Sequence, residues 1–384
     1  MKEIPEDFKR MITKLLGQEA TDLIKMLEES PVTSVRINKR KPGATFPEGD
    51  PVPWCESGFY LPKRPEFILD PLLHAGAYYV QDASSMIYET LTSMLIKNLS
   101  KDFTPSELSN LQILDMCAAP GGKTTAMINA LPDGSKVVAN EYSPKRLNAL
   151  RENIDRWGYP DVKVTNKDTS YFATQRECFD IIAVDAPCSG EGMMRKEEIA
   201  RTQWSDQLVK KCSSLQKEII ENAVKALKPG GFLIYSTCTF NREENEENAE
   251  YIRNELGLEP FDPDFPTEWG IPRGINTDLP VYRFMPHKTK GEGLFLSVFR
   301  KAGDWEPTPY KKKVADVVVE DYPNVEVSKE VALAYLRRES IVLPPDSPKG
   351  LVTITYKGLP LGPAKNIGTR ANNLYPKNRR ILKR

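Results

Sequence analysis

Histidine is nearly missing from this sequence, with two residues in 384, and none of its six cysteines forms a Cys-x-x-Cys pair. These shortages exclude a zinc cluster and a disulfide scaffold. Cys55, Cys117, Cys178, Cys188, Cys212 and Cys238 are therefore expected as free thiols, and no metal site is expected. No apolar run approaches the roughly 20 residues that a membrane-spanning helix needs. The first residues, Met1 to Glu6, lead straight into an amphipathic pattern without an apolar signal core, so a cytoplasmic location without a membrane partner is expected. Excess charge is absent too: 53 basic residues balance 53 acidic ones, which removes any whole-molecule attraction to polyanions. The balance is local, however. After Asp346 come nine Lys or Arg and no acid, a footprint used by nucleic-acid binders. Leu351, Val352, Ile354, Tyr356, Leu359 and Tyr375 are interleaved with them, which favours a folded basic surface over a solvated tail.

A chain of this length carries two or three domains at about 150 residues each. Phe8, Met11, Ile12, Leu15, Leu16, Leu23 and Leu27 fall at helical spacing, predicting helix over 6–28. A short extended piece follows at Ser34 to Asn38. Prolines crowd Lys41 to Pro71, and that stretch is read as irregular connecting structure. Between about 110 and 300, short apolar runs alternate with helical patterns, the signature of βαβ units and a parallel sheet. Strands are expected at Ile113–Asp115, Lys136–Asn140, Val162–Thr165, Phe179–Asp185 and Phe232–Ser236, with a late strand at Leu294–Arg300. Helices are expected at Thr124–Leu131, Pro144–Trp157 and Leu215–Leu227, the last stopped by Lys228-Pro229-Gly230-Gly231. Ala302 to Lys313 reads as a linker to a C-terminal domain.

The segment from Leu114 through Asp115, Met116, Cys117, Ala118, Ala119, Pro120, Gly121 and Gly122 to Lys123 and Thr124 turns strand one into a helix. Ligands of open α/β sheets bind at such strand ends. A P-loop would need a glycine where Cys117 stands, and GxGxxG is absent, so a nucleotide phosphate cradle and a dinucleotide site are disfavoured. S-adenosylmethionine remains. Its ribose hydroxyls suit Glu141 at the end of the second strand, and its adenine amino group or an adjacent polar contact suits Asp168 just past the third. Lys123 either caps the turn or meets the target base or its phosphate.

Strand four runs into Asp185-Ala186-Pro187-Cys188-Ser189-Gly190-Glu191-Gly192 and strand five into Ser236-Thr237-Cys238. If these strands are neighbours, both thiols meet above the sheet. Buried inert cysteine is the alternative, but it fits a strand interior better than a Pro-, Ser- and Gly-rich turn. A thiol has a chemical use here: addition to carbon 6 of a cytosine raises the electron density at carbon 5, which is otherwise too weak a nucleophile to take a methyl group. Asp185 is positioned to bond the ring nitrogen. His287, after Pro286, is read as structural, and Glu243 to Glu250 as the solvated face of a helix.

These strings resemble the Sun/Fmu family of RNA cytosine-5 methyltransferases. Ser34-Val35-Arg36-Ile37-Asn38, the stretch from His74-Ala75-Gly76 to Gln81-Asp82-Ala83-Ser84-Ser85, and Gly291-Glu292-Gly293-Leu294-Phe295 are similar to its further motifs. Leu361-Gly362 to Tyr375-Pro376 resembles the tail of the RsmF-like ribosomal RNA subgroup. The resemblance implies a class I Rossmann-like α/β methyltransferase sheet over 71–302. It also implies an N-terminal RNA-engaging α+β segment over 1–70 and a PUA-like RNA-binding domain over 303–384. Cys238 would be the nucleophile and Cys188 would assist release of the adduct. Asp185 and Lys123 would complete the catalytic set, and Cys117 to Lys123 with Glu141, Asp168 and Asp185 the S-adenosylmethionine site. The implied substrate is RNA rather than DNA, most naturally 16S ribosomal RNA, with the same chemistry on transfer RNA as the alternative, and the implied form is a monomer. Rival readings are a P-loop NTPase on Gly121 to Thr124, a non-catalytic RNA-binding protein, and an amino-group methyltransferase, which would carry Pro-Pro-Tyr/Phe where Ala186-Pro187-Cys188 stands.

Overall fold

A computed structural model describes residues 2–41, 43–99, 107–308 and 322–383. Helices α1 (Glu6–Leu16) and α2 (Ala20–Glu28) carry the N-terminal apolar periodicity, broken at Gly17, whose φ of 59° ends the first helix. Their buried residues Phe8, Ile12, Leu23 and Leu27 pack on Met194, Trp204, Phe240 and Met285, so this segment lies against the catalytic half of the molecule. Arg201, itself buried, fastens it by donating to the backbone oxygens of Lys2 and Leu27 at 2.7 and 2.8 Å.

Strands β1 (Thr33–Ile37), β2 (Asp50–Val52), β3 (Cys55–Leu61) and β4 (Tyr78–Val80) form an antiparallel sheet in the order β2-β3-β1-β4. The irregular connection expected over 41–71 is thus corrected: it holds a hairpin that pairs Thr33 with Leu61 and Arg36 with Gly58. Cross-strand pairing overrides the proline signal because Pro51 lies on the edge strand, where a missing N–H is tolerated. The sheet also extends past residue 70, since β4 is its fourth strand. Helix α3 (Pro71–His74) precedes β4. Arg36 leaves this sheet for the core, donating to Gln81 Oε1 at 2.7 Å and Thr125 Oγ1 at 2.6 Å over the Trp157 ring. Asn38 donates to the carbonyls of Gly76 and Trp157. The polar residues of the Ser34–Asn38 string therefore tie the N-terminal sheet to the helices of the next layer.

The central sheet combines β5 (Gln112–Asp115), β6 (Lys136–Asn140), β7 (Val162–Thr165), β8 (Phe179–Asp185), β9 (Leu227–Thr237), β10 (Glu259–Pro260), β11 (Tyr282–Phe284) and β12 (Leu294–Arg300). Its order is β10-β12-β9-β8-β5-β6-β7, with β11 on β12. Strands β5 to β9 pair in parallel and β12 joins β9 antiparallel. Helix α4 (Ile87–Leu99) packs on α5 (Gly122–Ala130), while α6 (Pro144–Trp157), α7 (Thr169–Ala173), α8 (Glu198–Gln203), α9 (Asp206–Ala226) and α10 (Glu246–Asn254) follow in order. Two apolar clusters, one around Ile113, Ile181 and Ile234 and one around Leu114, Ile182 and Leu233, lie on opposite faces of the same strands, as alternation along a doubly covered sheet requires. Helix α9 begins nine residues before the expected Leu215, capped by Ser205, which accepts from Leu208 N. Only Val209 and Cys212 are buried in that first half, so its periodicity is faint. The Lys-Pro-Gly-Gly stop does end α9, but inside β9: the pairing jumps from Phe179–Leu227 to Ile181–Phe232, and Gly230 at φ 68° leaves room for the backbone of Trp305.

Strands β13 (Asn324–Glu326), β14 (Gly350–Tyr356), β15 (Leu359–Asn366) and β16 (Ala371–Asn373) form a third sheet covered by α11 (Lys329–Leu336). Val352, Ile354, Tyr335 and Leu336 share a core with Val35, Phe67, Leu72 and Tyr78, so the basic C-terminal part is folded and seated on the N-terminal sheet. The expected linker is without helix or strand from Ala302 to Thr308, and its remainder, 309–313, lies outside the described residues. Among the described residues no helix is long and apolar enough to cross a membrane.

Candidate active site

The sheet order reverses between β5 and β8: the chain leaves β5 toward β6 and β7, then returns to add β8 and β9 on the other side. A cleft opens at the carboxyl ends of strands flanking such a reversal. Asp115 and the turn after it follow β5 and Asp185 and Cys188 follow β8, while Glu141, Asp168 and Cys238 follow the neighbouring strands β6, β7 and β9.

Register brings the two thiols together. Asp185 pairs with Ser236 across the parallel β8–β9 ladder, so Cys188, three residues on, and Cys238, two residues on, emerge side by side. Their sulfurs are 3.1 Å apart and both residues are half-buried. The hydrogen bond to Cys238, reinforced by burial, pushes the Cys188 thiol well above its ordinary value. Cys117 also lies in the cleft, but burial and the nearby Asp115, Asp185 and Glu141 hold its thiol protonated. The Cys238 turn is fitted closely: Gly192 N donates to Cys238 O at 2.8 Å, and a Cβ at Gly192 would come within 2.6 Å of that oxygen.

Asp185 accepts from Lys123 Nζ at 2.8 Å through one oxygen and from Ser236 Oγ at 2.7 Å through the other. Ser236 in turn contacts the buried Tyr88 hydroxyl at 2.8 Å. Burial alone would strip the Lys123 ammonium, yet the Asp185 charge and hydrogen bond outweigh it and raise the pKa. The negative charge of a Cys238 thiolate acts in the same direction.

The turn Met116–Gly121 joins β5 to α5, with Gly121 at φ 105° before the first helical residue. Asp115 ends β5; burial pushes its carboxyl up to about 7, against the opposing hydrogen bond from Thr124 Oγ1 at 2.6 Å. Asp115 Oδ1 is buried without a partner. Glu141, one residue past β6, accepts from Ser143 N through Oε1 at 2.7 Å, while its Oε2 has no hydrogen-bond partner and only the Arg146 guanidinium at 3.3 Å. Two buried acceptors thus remain open around one turn, which suits a ligand that brings N–H or O–H groups. Asp168 stands farther out, exposed, its Oδ1 capping α7 at Ser170 N.

Sequence reasoning missed the scaffold beneath the thiols. Glu243 to Glu250 is not a solvated face: Glu244, Asn245, Glu246 and Asn248 are fully buried. Glu244 accepts from Ser189 N, Gln216 Nε2 and Asn241 Nδ2 at 2.7 to 3.0 Å. Glu191 accepts from Phe240 N, Asn241 N, Asn241 Nδ2 and Trp204 Nε1 at 2.6 to 2.9 Å. Glu246 pairs with Arg283, which also donates to Phe240 O. A run of acids reads as exposed because its partners, Gln216 and Arg283, are distant in sequence. Asn140 was missed as well; it joins the ends of β5 and β7 through Met116 O and Lys167 O.

The sequence pattern of the 16S rRNA methyltransferases RsmB/F matches residues 104–300, just over half of the chain. The chain belongs to that family. The N-terminal domain of 16S rRNA methyltransferase RsmF matches residues 4–83 and the methyltransferase RsmF PUA domain residues 322–381. Ribosomal RNA small subunit methyltransferase F of Pectobacterium atrosepticum is 36% identical over 68% of the chain and 52% of its own length. Its counterpart in Cronobacter sakazakii is 33% identical over 80% of the chain and 65% of its own length. The chain therefore spans about half to two thirds of these curated relatives. Among solved structures, a methyltransferase homolog protein from Pyrococcus horikoshii superposes with a TM-score of 0.62 at 25% identity, over 77% of this family member and 95% of that chain. NSun6 from the same organism, solved with SFG, shares the fold at a TM-score of 0.61 and 21% identity, over 79% of this chain and 99% of its own.

Proposed function

We propose that this chain methylates carbon 5 of a cytosine in 16S ribosomal RNA, with S-adenosylmethionine as donor and a transient bond between Cys238 Sγ and carbon 6 of the base. The observation that carries the reading is a pair of thiols 3.1 Å apart at adjacent strand ends, beside a turn with two unpartnered buried carboxylate oxygens. Family membership and relatives named for ribosomal RNA support the substrate. Such a substrate places the enzyme in the cytoplasm, and the C-terminal sheet with its basic residues would engage the RNA together with the N-terminal segment.

The residues divide the work. The backbone of Cys117 to Lys123 with Asp115, Glu141 and Asp168 would hold the donor, which when bound supplies an electrophilic methyl group. Cys238 adds to carbon 6. Asp185, held by Lys123 and Ser236, faces the ring nitrogen, and the Lys123 ammonium offsets the negative charge that the addition puts on the ring. Release needs the proton on carbon 5 removed and the carbon–sulfur bond broken. The Cys188 thiol protonates the departing Cys238 sulfur as its own bared sulfur takes the carbon 5 proton; the pair then holds one proton more than when Cys238 attacked, and Cys238 gives it to solvent before the next addition. The base must be unstacked to reach the sulfurs, which favours a loop or an opened helix.

Cys238→Ala is expected to abolish methyl incorporation into 16S ribosomal RNA while donor affinity stays near wild type. Cys188→Ala is expected to accumulate a protein–RNA band on a denaturing gel. Substantial turnover by the Cys238 variant would sink the mechanism.

A further inference from the structure

Helix α4 sends one polar atom through the apolar layer to the end of β9. Tyr88, the second residue of α4, is fully buried in the cluster that holds Leu91, Ile113 and Ile234. Phenylalanine would fill that volume with no polar group to satisfy. A buried polar ring can also be satisfied by a backbone oxygen, as Ala83 O satisfies the buried Trp54 indole. The Tyr88 hydroxyl instead meets the Ser236 hydroxyl at 2.8 Å.

The direction of each bond in this chain is fixed. A carboxylate can only accept, so Ser236 gives its single hydroxyl proton to Asp185 Oδ1 at 2.7 Å. Toward Tyr88 the serine oxygen is left to accept, and Tyr88 donates. Burial, joined by the Asp185 charge, holds the phenol well above its ordinary pKa, so it remains a donor across the neutral range. The other arm of Asp185 borders the same tyrosine: Lys123 Nζ, 2.8 Å from Asp185 Oδ2, stands 5.8 Å from the centre of the Tyr88 ring. Asp185 and Ser236 are register partners across β8 and β9, and Cys238 follows Ser236 by two residues.

The two holders of Asp185 are unequal during the reaction. As carbon 6 is attacked, the Lys123 ammonium turns part of its charge to the ring and its bond to Asp185 weakens, which leaves Ser236. A serine hydroxyl can rotate and the terminal torsion of an aspartate is broad, so neither holds its own direction. The Tyr88 proton occupies the accepting side of the serine oxygen and keeps the serine proton on Asp185.

We infer that Tyr88 is a positioning residue for this methylation: its hydroxyl, acting through Ser236, holds the Asp185 carboxylate toward the ring nitrogen while Cys238 adds to carbon 6. The inference rests on the proposed reaction and deepens it, giving α4 a share in the rate although it offers no group to the reacting atoms.

The test uses the full-length protein and single-turnover methyl transfer to 16S ribosomal RNA with enzyme and S-adenosylmethionine saturating, where the rate constant does not depend on how much of the protein is folded. Tyr88→Phe, which keeps the ring and removes only the hydroxyl, should lower that rate constant about tenfold, and Ser236→Ala by at least as much. In the steady state kcat should fall while the KM for RNA and the KM for S-adenosylmethionine stay within about twofold, a split that a merely structural hydroxyl would not produce. Because the two hydroxyls act in series, adding Tyr88→Phe to Ser236→Ala should slow transfer no further. The double variant also removes both partners of the buried bond, which costs less stability than stranding one. A Tyr88→Phe enzyme at the wild-type rate, or losses that multiply in the double variant, overturns the inference and leaves the proposed reaction standing. A wild-type protein that transfers no methyl group to RNA overturns both.

Discussion

Under the thiols, Glu191 and Glu244 accept seven hydrogen bonds of 3.0 Å or less between them, from the backbone and side chains of four separate segments. Across the cleft, Asp115 and Glu141 are just as buried, yet each keeps one oxygen without a hydrogen bond. The same residue types in the same degree of burial serve opposite ends. A nucleophile pair gains from a backbone that cannot shift, because misplacement of a reacting atom costs rate steeply. A ligand site gains from polar groups left for the ligand, since a buried acceptor without a partner costs roughly 1–3 kcal/mol until something arrives to satisfy it.

Removing one saturated carboxylate gives the largest effect. Glu191→Ala strands the N–H groups of Phe240 and Asn241 and the Trp204 indole, and should cost roughly 3 kcal/mol or more of stability. Activity should fall further than the loss of folded protein accounts for, because the Cys238 turn loses its anchor. Denaturant titration and methylation assays on the same preparation check both. A variant as stable as wild type would mean that the network is not what holds the turn.

On the open side the sign reverses. Glu141→Gln can keep its carbonyl on Ser143 N while putting an amide where Oε2 now has no hydrogen bond and only the exposed Arg146 guanidinium at 3.3 Å. Stability should stay within about 1 kcal/mol of wild type, whereas donor affinity, read by calorimetry, should fall about tenfold, near 1.4 kcal/mol. Equal losses in both would erase the distinction between the two walls.

The contrast also explains what was legible in advance. Strands β6, β7, β8 and β12 appear at the residues where their apolar runs fall; β8 and β12, buried on both faces, are apolar along almost their whole length. Once β8 and β9 are neighbours, the meeting of Cys188 and Cys238 follows from counting residues past Asp185 and Ser236. The saturated wall was invisible for the complementary reason. Glu244 and Glu246 look solvated until the fold brings Gln216 and Arg283 to them, and no local pattern encodes a partner 28 or 37 residues away. The β2–β3 hairpin was hidden likewise, its local proline content outvoted by pairing with β1.

A third comparison separates the two walls by their response to pH. Asp115, with its carboxyl raised to about 7 by burial, holds a proton in the folded state that the unfolded chain releases near pH 4. Between those values the folded state binds more protons, so this group's contribution to stability declines as pH rises through the window and levels off above about 7. Asp115→Asn keeps an oxygen for Thr124 and cannot ionise. The stability of the variant relative to wild type should therefore grow from pH 5 to pH 8, and taking the difference cancels every other titrating group. A difference that stays flat would mean that Asp115 ionises as easily as a solvated carboxylate, and that its unpartnered oxygen is not held away from water.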